Sequence, residues 1–283
     1  DGDVVAVDLE TYDPKLKTHG SGSISGSGFV CGIAIAYRDE KYYFPIKHKG
    51  PKLGASQVWK VLNRRILQNE KIDKVFHNAI YDVCWIRAAT GLMPKGNLYD
   101  TMIAASVIDE NRKSYSLDAL SAKYLQDKKY KYDLAERSQD EHGISDPMSN
   151  MDKLPYDLVK DYAEQDVSLT LRLWNKFKKI IDTPIPVKGP PSNPVKYKTL
   201  KNIFDLETRL FPCLVEMRFK GVRVDENKSK ALGDKLKRKQ DIIVQGIKRR
   251  TGIDIQIWAA DSIKQLLDYR NIKDYKETAK TKR

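Results

Sequence analysis

The chain has 283 residues and a mass of 32.4 kDa, with 41% apolar and 31% charged residues, enough for one large or two ordinary domains with a sizeable core. That apolar fraction excludes a wholly disordered chain, and no apolar run approaches the ~18 residues of a membrane span. The net charge of +13 is uneven: residues 1–182 hold 27 basic and 26 acidic side chains and residues 183–283 hold 24 and 12, so the second part is the one suited to a polyanion or to a merely soluble basic surface.

In chain order, Val4 to Val7 reads as a short buried strand ending in Asp8-Leu9-Glu10-Thr11. A Gly/Ser-rich loop, His19 to Gly28, follows. Phe29–Tyr37 and Lys41–Ile46 read as two strands joined in a hairpin through Arg38-Asp39-Glu40. Ser56 to Gln68 has helical spacing of Val58, Trp59, Leu62 and Ile66, and Lys74-Val75-Phe76 is a further buried strand. Asn78 can cap a helix that runs to about Thr90 and stops at Gly91. Helices are expected at Asp100–Ile108, from Leu117, and at Asp157–Ile181, with polar, irregular chain over residues 127–150. Strands followed by alternating helices predict an α/β domain with a mixed sheet flanked by helices.

Thr183 to Val195 holds five of the 12 prolines and is expected to be a linker or an extended crossing segment. Beyond it the periodicity is helical: Lys201–Phe219, a very basic helix from Glu226 to about Arg250, and Ser262–Tyr269, with Val222-Arg223-Val224 as a short strand. The domain division expected is 1–182, a linker at 183–196, and a helical segment at 197–283. Residue 1 is Asp and no basic-then-apolar leader follows, so a cytoplasmic protein without a membrane segment is expected. Cys31, Cys84 and Cys213 are odd in number and far apart, which fits neither a disulfide framework nor a zinc ribbon.

Three short segments carry the chemistry. Asp8 and Glu10 alternate at a strand end and so project to one face, as ligands for a hard cation or as a solvated strand end. In His77-Asn78-Ala79-Ile80-Tyr81-Asp82, Asp82 falls one turn after a helix start, where a carboxylate also simply suits the helix dipole. Tyr162 and Asp166 are i, i+4 and share a helix face near the apolar positions Leu158, Leu169 and Leu173; a carboxylate there needs a partner, whether a metal, a lysine or a helix end. Together the four carboxylates form an all-oxygen donor set, which favours two Mg2+ or Mn2+ ions over zinc and suits in-line displacement at phosphorus.

These segments resemble the three exonuclease motifs of the DEDD superfamily, and Tyr162 matches its tyrosine-bearing branch. YDTMIAASVIDEN (99–111) and SLDALSAKYL (116–125) resemble the proofreading domain of family A DNA polymerases. FDLETRLFPCLVEMRFKGVRVD (204–225) looks like the junction where that family's polymerase domain begins, and SIKQLLDY (262–269) and the terminal KETAKTKR look like its early thumb. The opening DLETYDPKLKTHG is most like phage members. The resemblance implies a ribonuclease H-like 3′–5′ exonuclease acting on single-stranded or frayed DNA, followed by the helical start of a polymerase domain whose active-site motifs are not found here. It implies Asp8, Glu10 and Asp166 as ligands of one metal, Asp8 and Asp82 at a second, Tyr162 orienting the attacking water, and Leu9 and Thr11 against the terminal nucleotide. Asn78 either binds the scissile strand or only caps its helix. Phe76, His77 and Tyr81 are candidates for base stacking, with Phe76 better read as core. Lys235, Lys237, Arg238, Lys239, Arg249 and Arg250 are expected contacts to primer–template duplex, and the remaining polymerase domain is an expected partner. The alternatives are a stand-alone RNA-trimming DEDD exonuclease and a non-catalytic DNA-binding module.

Overall fold

The computed structural model describes residues 3–50, 52–127, 131–188 and 195–272. The expected charged terminus at 276–283 and the middle of the Pro-rich segment lie outside them. The chain divides into two compact units, Asp1–Lys220 and Gly221–Arg283.

The first unit is built on a five-stranded sheet of order β3-β2-β1-β4-β5. Its strands are β1 (Asp3–Tyr12), β2 (Phe29–Tyr37), β3 (Glu40–Pro45), β4 (Ile72–Phe76) and β5 (Leu98–Asp100). β1, β2 and β3 pair antiparallel, whereas β4 and β5 join parallel to β1, giving the mixed sheet that the element order predicts. The β2–β3 hairpin closes on a Tyr37↔Glu40 pair, and Arg38 takes the left-handed conformation (φ 54°) that such a tight turn requires.

Alternation along β1 sorts its side chains to two faces. Val5, Val7 and Leu9 join Ile33, Ile35 and Phe76 in one apolar layer, covered by α3 (Ala55–Leu62) and α4 (Ala79–Thr90). Ala6 faces the opposite layer with Ala34, Ala36 and Val75, covered by α5 (Thr101–Ile108), α6 (Leu117–Tyr124) and the 27-residue α8 (Tyr156–Asp182). Small residues on the strands of this second layer let α8 pack its Leu169, Leu173 and Phe177 closely against the sheet. Asp8 and Glu10 continue the Ala6 face and so lie on the α8 side.

Several elements differ from expectation. α1 (Leu16–His19) leads into the Gly/Ser-rich loop, and that loop itself folds into a single turn, α2 (Gly22–Ser25). The helix expected to reach Gln68 is α3 followed by a π turn over Asn63–Leu67. Residues 127–150 are not irregular throughout: they contain α7 (Lys131–His142), anchored by the buried Leu134 and Ser138. The Pro-rich segment pairs as a two-stranded ribbon, β6 (Ile185–Lys188) with β7 (Val195–Lys198), where Pro186 is tolerated because both strands are edges.

α9 (Lys201–Lys220), which follows that ribbon, packs back onto the first unit. Its Phe204 enters the α8-side layer against Trp174 and Tyr99, and its Phe211 and Val215 enter the α4-side layer. Arg87 on α4 makes a bidentate pair with Glu216 and stacks over Phe219. The compact break therefore follows Lys220, whereas the expected one preceded residue 197.

The second unit holds α10 (Glu226–Thr251) and α11 (Ala260–Tyr269). Asp225 caps α10 by accepting from the Lys228 amide (3.0 Å), and Gly252 ends it in the left-handed conformation. Val222-Arg223-Val224 forms no strand: it pairs with nothing among the described residues, and Val222 is 89% exposed. Lys235, Lys237, Arg238, Lys239, Arg249 and Arg250 are all exposed on α10.

Candidate active site

β1 carries Asp8 and Glu10 to the edge of the α8-side layer, and Tyr162 and Asp166 descend onto the same face from α8. Glu10 and Asp166 are nearly buried at 5% and 6% exposure. At Glu10/Thr11 a β-bulge breaks the β1–β2 register, turning the strand just where the carboxylates project. Glu10 lies opposite Gly32 on β2, where any Cβ would collide with the Tyr43 hydroxyl. That hydroxyl is hydrogen-bonded to His48 Nε2 in the buried space behind the site.

Asp82 arrives from the other layer. The parallel β1–β4 ladder stops at Ala6↔Val75, and beyond it the Leu9 amide donates to Asp82 Oδ1 (3.0 Å). This bond fixes the carboxylate of α4 to the strand that bears Asp8 and Glu10. Burial, and next the charge of Asp8, push the Asp82 carboxyl well above the ordinary carboxylate range. Tyr162 responds to the same field: burial first, then Asp166, Glu10 and Asp8, hold its phenol strongly protonated. Its hydroxyl donates to Met148 Sδ (3.9 Å). Tyr162 thus lies within electrostatic reach of Asp166, Glu10 and Asp8, and Asp82 within reach of Asp8.

The carboxylates stand apart as well as together. Among the described residues, no three Asp, Glu, His or Cys side chains form a closed ligand cluster. Like charges in a poorly solvated site repel, so an all-carboxylate set draws tight only around a cation. The donor chemistry fits a hard divalent ion: hard oxygens predominate, and neither cysteine nor histidine is among the four expected ligands.

Asn78 does not cap α4 with its side chain; it sits in the left-handed conformation (φ 66°), which asparagine tolerates. The cap comes from Asp100, a residue whose role the sequence reading missed. Its carboxylate accepts from the Asn78 and Ala79 amides (3.0 and 2.7 Å) and from Met102 (2.8 Å), closing the N-termini of α4 and α5 at once. The only signal was an Asp at the start of a predicted helix; its reach to α4 depends on β4 and β5 being neighbours. Asp100→Ala should leave three amides without their acceptor and cost about 2–3 kcal/mol in urea unfolding, with Asp82 losing its placement.

Thr11 and Tyr81 share a hydrogen bond (2.7 Å), and the Tyr81 hydroxyl also donates to Asp13 Oδ2 (3.3 Å). Leu9, Thr11 and Asn78 line a cavity of about 460 Å³ beside Glu10 and Tyr81. Phe76 is core, fully buried, and His77 is tied to Thr101 (2.9 Å).

Residues 1–182 match the 3′–5′ exonuclease family DNA_pol_A_exo1. The chain belongs to that family. It carries the 3′–5′ exonuclease domain of family A DNA polymerases, with the ribonuclease H-like fold of DEDD nucleases. That superfamily is generally dependent on divalent metal.

A DNA-directed DNA polymerase of Pseudomonas phage M6 is 28% identical over 279 residues, covering 95% of this chain but 39% of that protein. The chain thus spans about two-fifths of that relative's length. Among solved structures, the nuclease NrnC of Brucella melitensis with bound Mg2+ has 17% identity and a TM-score of 0.52, covering 78% of this chain and 87% of that one. The POL domain of Pol1 from M. smegmatis, in complex with DNA primer-template and dNTP, has 15% identity and a TM-score of 0.56, covering 99% of this chain and 39% of that one. At such identities these two likenesses speak to the fold. Among the described residues no helix is long and apolar enough to cross a membrane.

Proposed function

We propose that this chain hydrolyses the terminal phosphodiester of single-stranded or frayed DNA from the 3′ end, releasing nucleoside 5′-monophosphates, as the proofreading part of a family A polymerase. The observation that carries this reading is the meeting of β1, α4 and α8 within the residues that match the family: the Leu9 amide, between Asp8 and Glu10, donates to Asp82, and Tyr162 lies within the field of Asp166, Glu10 and Asp8. Asp8, Glu10 and Asp166 would hold one divalent ion, and Asp8 with Asp82 a second. Two bound Mg2+ or Mn2+ ions would supply a hydroxide near neutral pH and stabilise the leaving 3′ oxygen.

Tyr162 orients the attacking water. Its phenol is held protonated, so it serves as a hydrogen-bond donor and not as a general base at pH 7. Leu9 and Thr11 flank the ligands and contact the terminal nucleotide, with Asn78 beside them on the scissile strand. The exposed Lys235, Lys237, Arg238, Lys239, Arg249 and Arg250 of α10 bind duplex phosphates without reading sequence. The remaining polymerase domain is the partner, and the cytoplasm the compartment.

A relative that is a DNA polymerase along 95% of this chain supports DNA over the RNA-trimming alternative. The test is a 5′-labelled single strand incubated with Mg2+ or Mn2+ and sized by gel, beside its ribonucleotide counterpart. Stepwise shortening of the DNA from its 3′ end is expected. Preferential shortening of RNA would favour the alternative, and no shortening of either would favour a non-catalytic module.

A further inference from the structure

The segment between β1 and β2 is a folded lip on the substrate cavity. Asp13 anchors it: its Oδ2 accepts from the Gly22 amide (3.0 Å) as well as from Tyr81, so the segment is tied to the same tyrosine that touches Thr11. Gly22 is packed so closely that a Cβ would lie 1.9 Å from the Ser27 carbonyl oxygen and 2.9 Å from Asp13 Oδ1. Gly28 is similarly closed by the Tyr12 carbonyl, 2.2 Å from where its Cβ would be. This packing holds Pro14, Leu16 and Lys17 in the lining of the cavity, which also includes Asp146 and Met148.

The charges around that cavity are unbalanced. Glu10, Asp13 and Asp146 line it as acids, and Lys17 is the one cation among its lining residues. Glu10 is committed to the metal site. A strand threading this space would carry its backbone phosphates past Asp13 and Asp146 without a counter-charge, except at Lys17. Lys17 is exposed in that lining, where a phosphate could reach it.

We propose that Lys17 is a strand-binding residue that contacts a backbone phosphate of single-stranded DNA on the 5′ side of the scissile bond, with Asp13 as the positioning residue that holds the lip in place. This rests on the exonuclease reading, whose terminal-nucleotide pocket is the same cavity. The site extends that pocket by one phosphate subsite supplied by the segment between β1 and β2.

The test separates binding from cleavage. Binding of 5′-fluorescein hexathymidylate is followed by anisotropy across a KCl series in Ca2+, for the whole chain and for Lys17→Ala, Lys17→Arg and Lys60→Ala. Lys60 is an exposed lysine on α3 outside the cavity. Lys17→Ala should weaken binding several-fold and reduce the log–log salt slope by about 0.7, the value of one phosphate contact on a single strand. Lys17→Arg should restore both, and Lys60→Ala should change neither. An unchanged slope in Lys17→Ala, a loss equal to that of Lys60→Ala, or no binding by the unmutated chain would overturn the proposal. Failure of the unmutated chain to shorten a 3′ end in Mg2+ or Mn2+ would instead reject the exonuclease reading, because the anisotropy slopes require no cleavage.

Discussion

Asp8→Ala is expected to lower cleavage of a single-stranded 3′ end by several orders of magnitude, because the substitution removes a group shared by both proposed ions. Asp8 is among the charges that act on both Asp82 and Tyr162, in keeping with a place at both proposed ions. Tyr162→Phe should cost less, about 10- to 1000-fold, since it deletes one orienting hydrogen bond and leaves the ligands intact. Single-turnover rates at saturating DNA compare the two directly. Equal losses would show that Tyr162 does more than orient water.

Chelation should abolish the activity, and Mg2+ or Mn2+ should restore it. The accompanying change in stability has a sign set by Asp82. Its folded pKa lies above its unfolded value, so the metal-free fold binds more protons than the unfolded chain and loses stability as pH rises through the carboxylate range and above it. A divalent ion offsets that repulsion and binds only the folded site, so it should raise the melting temperature, and by more at about pH 8 than at about pH 5. Thermal melts with and without Mn2+ at the two pH values give the comparison. Full activity in excess chelator, or a metal-induced shift that is larger at low pH, would reject the carboxylate site.

The chemistry of the site was more legible than its supports. Strand alternation placed Asp8 and Glu10 on one face, and helical pitch placed Tyr162 beside Asp166, because each pair is set by local geometry alone. Asp82 was read as a residue of the first helical turn, which it is. What escaped were contacts between segments distant in the chain. Asp100 caps α4 only because β5 runs beside β4, and no local signal tells Asn78 to yield that task. The Gly/Ser-rich stretch read as a loop because its order comes from Asp13 and from close glycine packing. α7 was hidden by a polar sequence with little apolar period. The packing of α9 onto the sheet also escaped, because prolines mark a change of direction without saying where the chain goes next.

That placement of α9 bears on how the protein is made. Both apolar layers borrow side chains from it, Phe204 on one side of the sheet and Phe211 and Val215 on the other. A ribosome that has just finished residue 182 has supplied every expected metal ligand, yet two grooves of the nascent domain are still open. Synthesis of the next 38 residues, at about 5–20 residues per second, takes roughly 2–8 s. During that interval, and until Lys220 clears the exit tunnel, the side chains that α9 covers in the finished fold, Trp174 and Tyr99 among them, are without that cover. Both apolar layers are therefore complete only once α9 is in place.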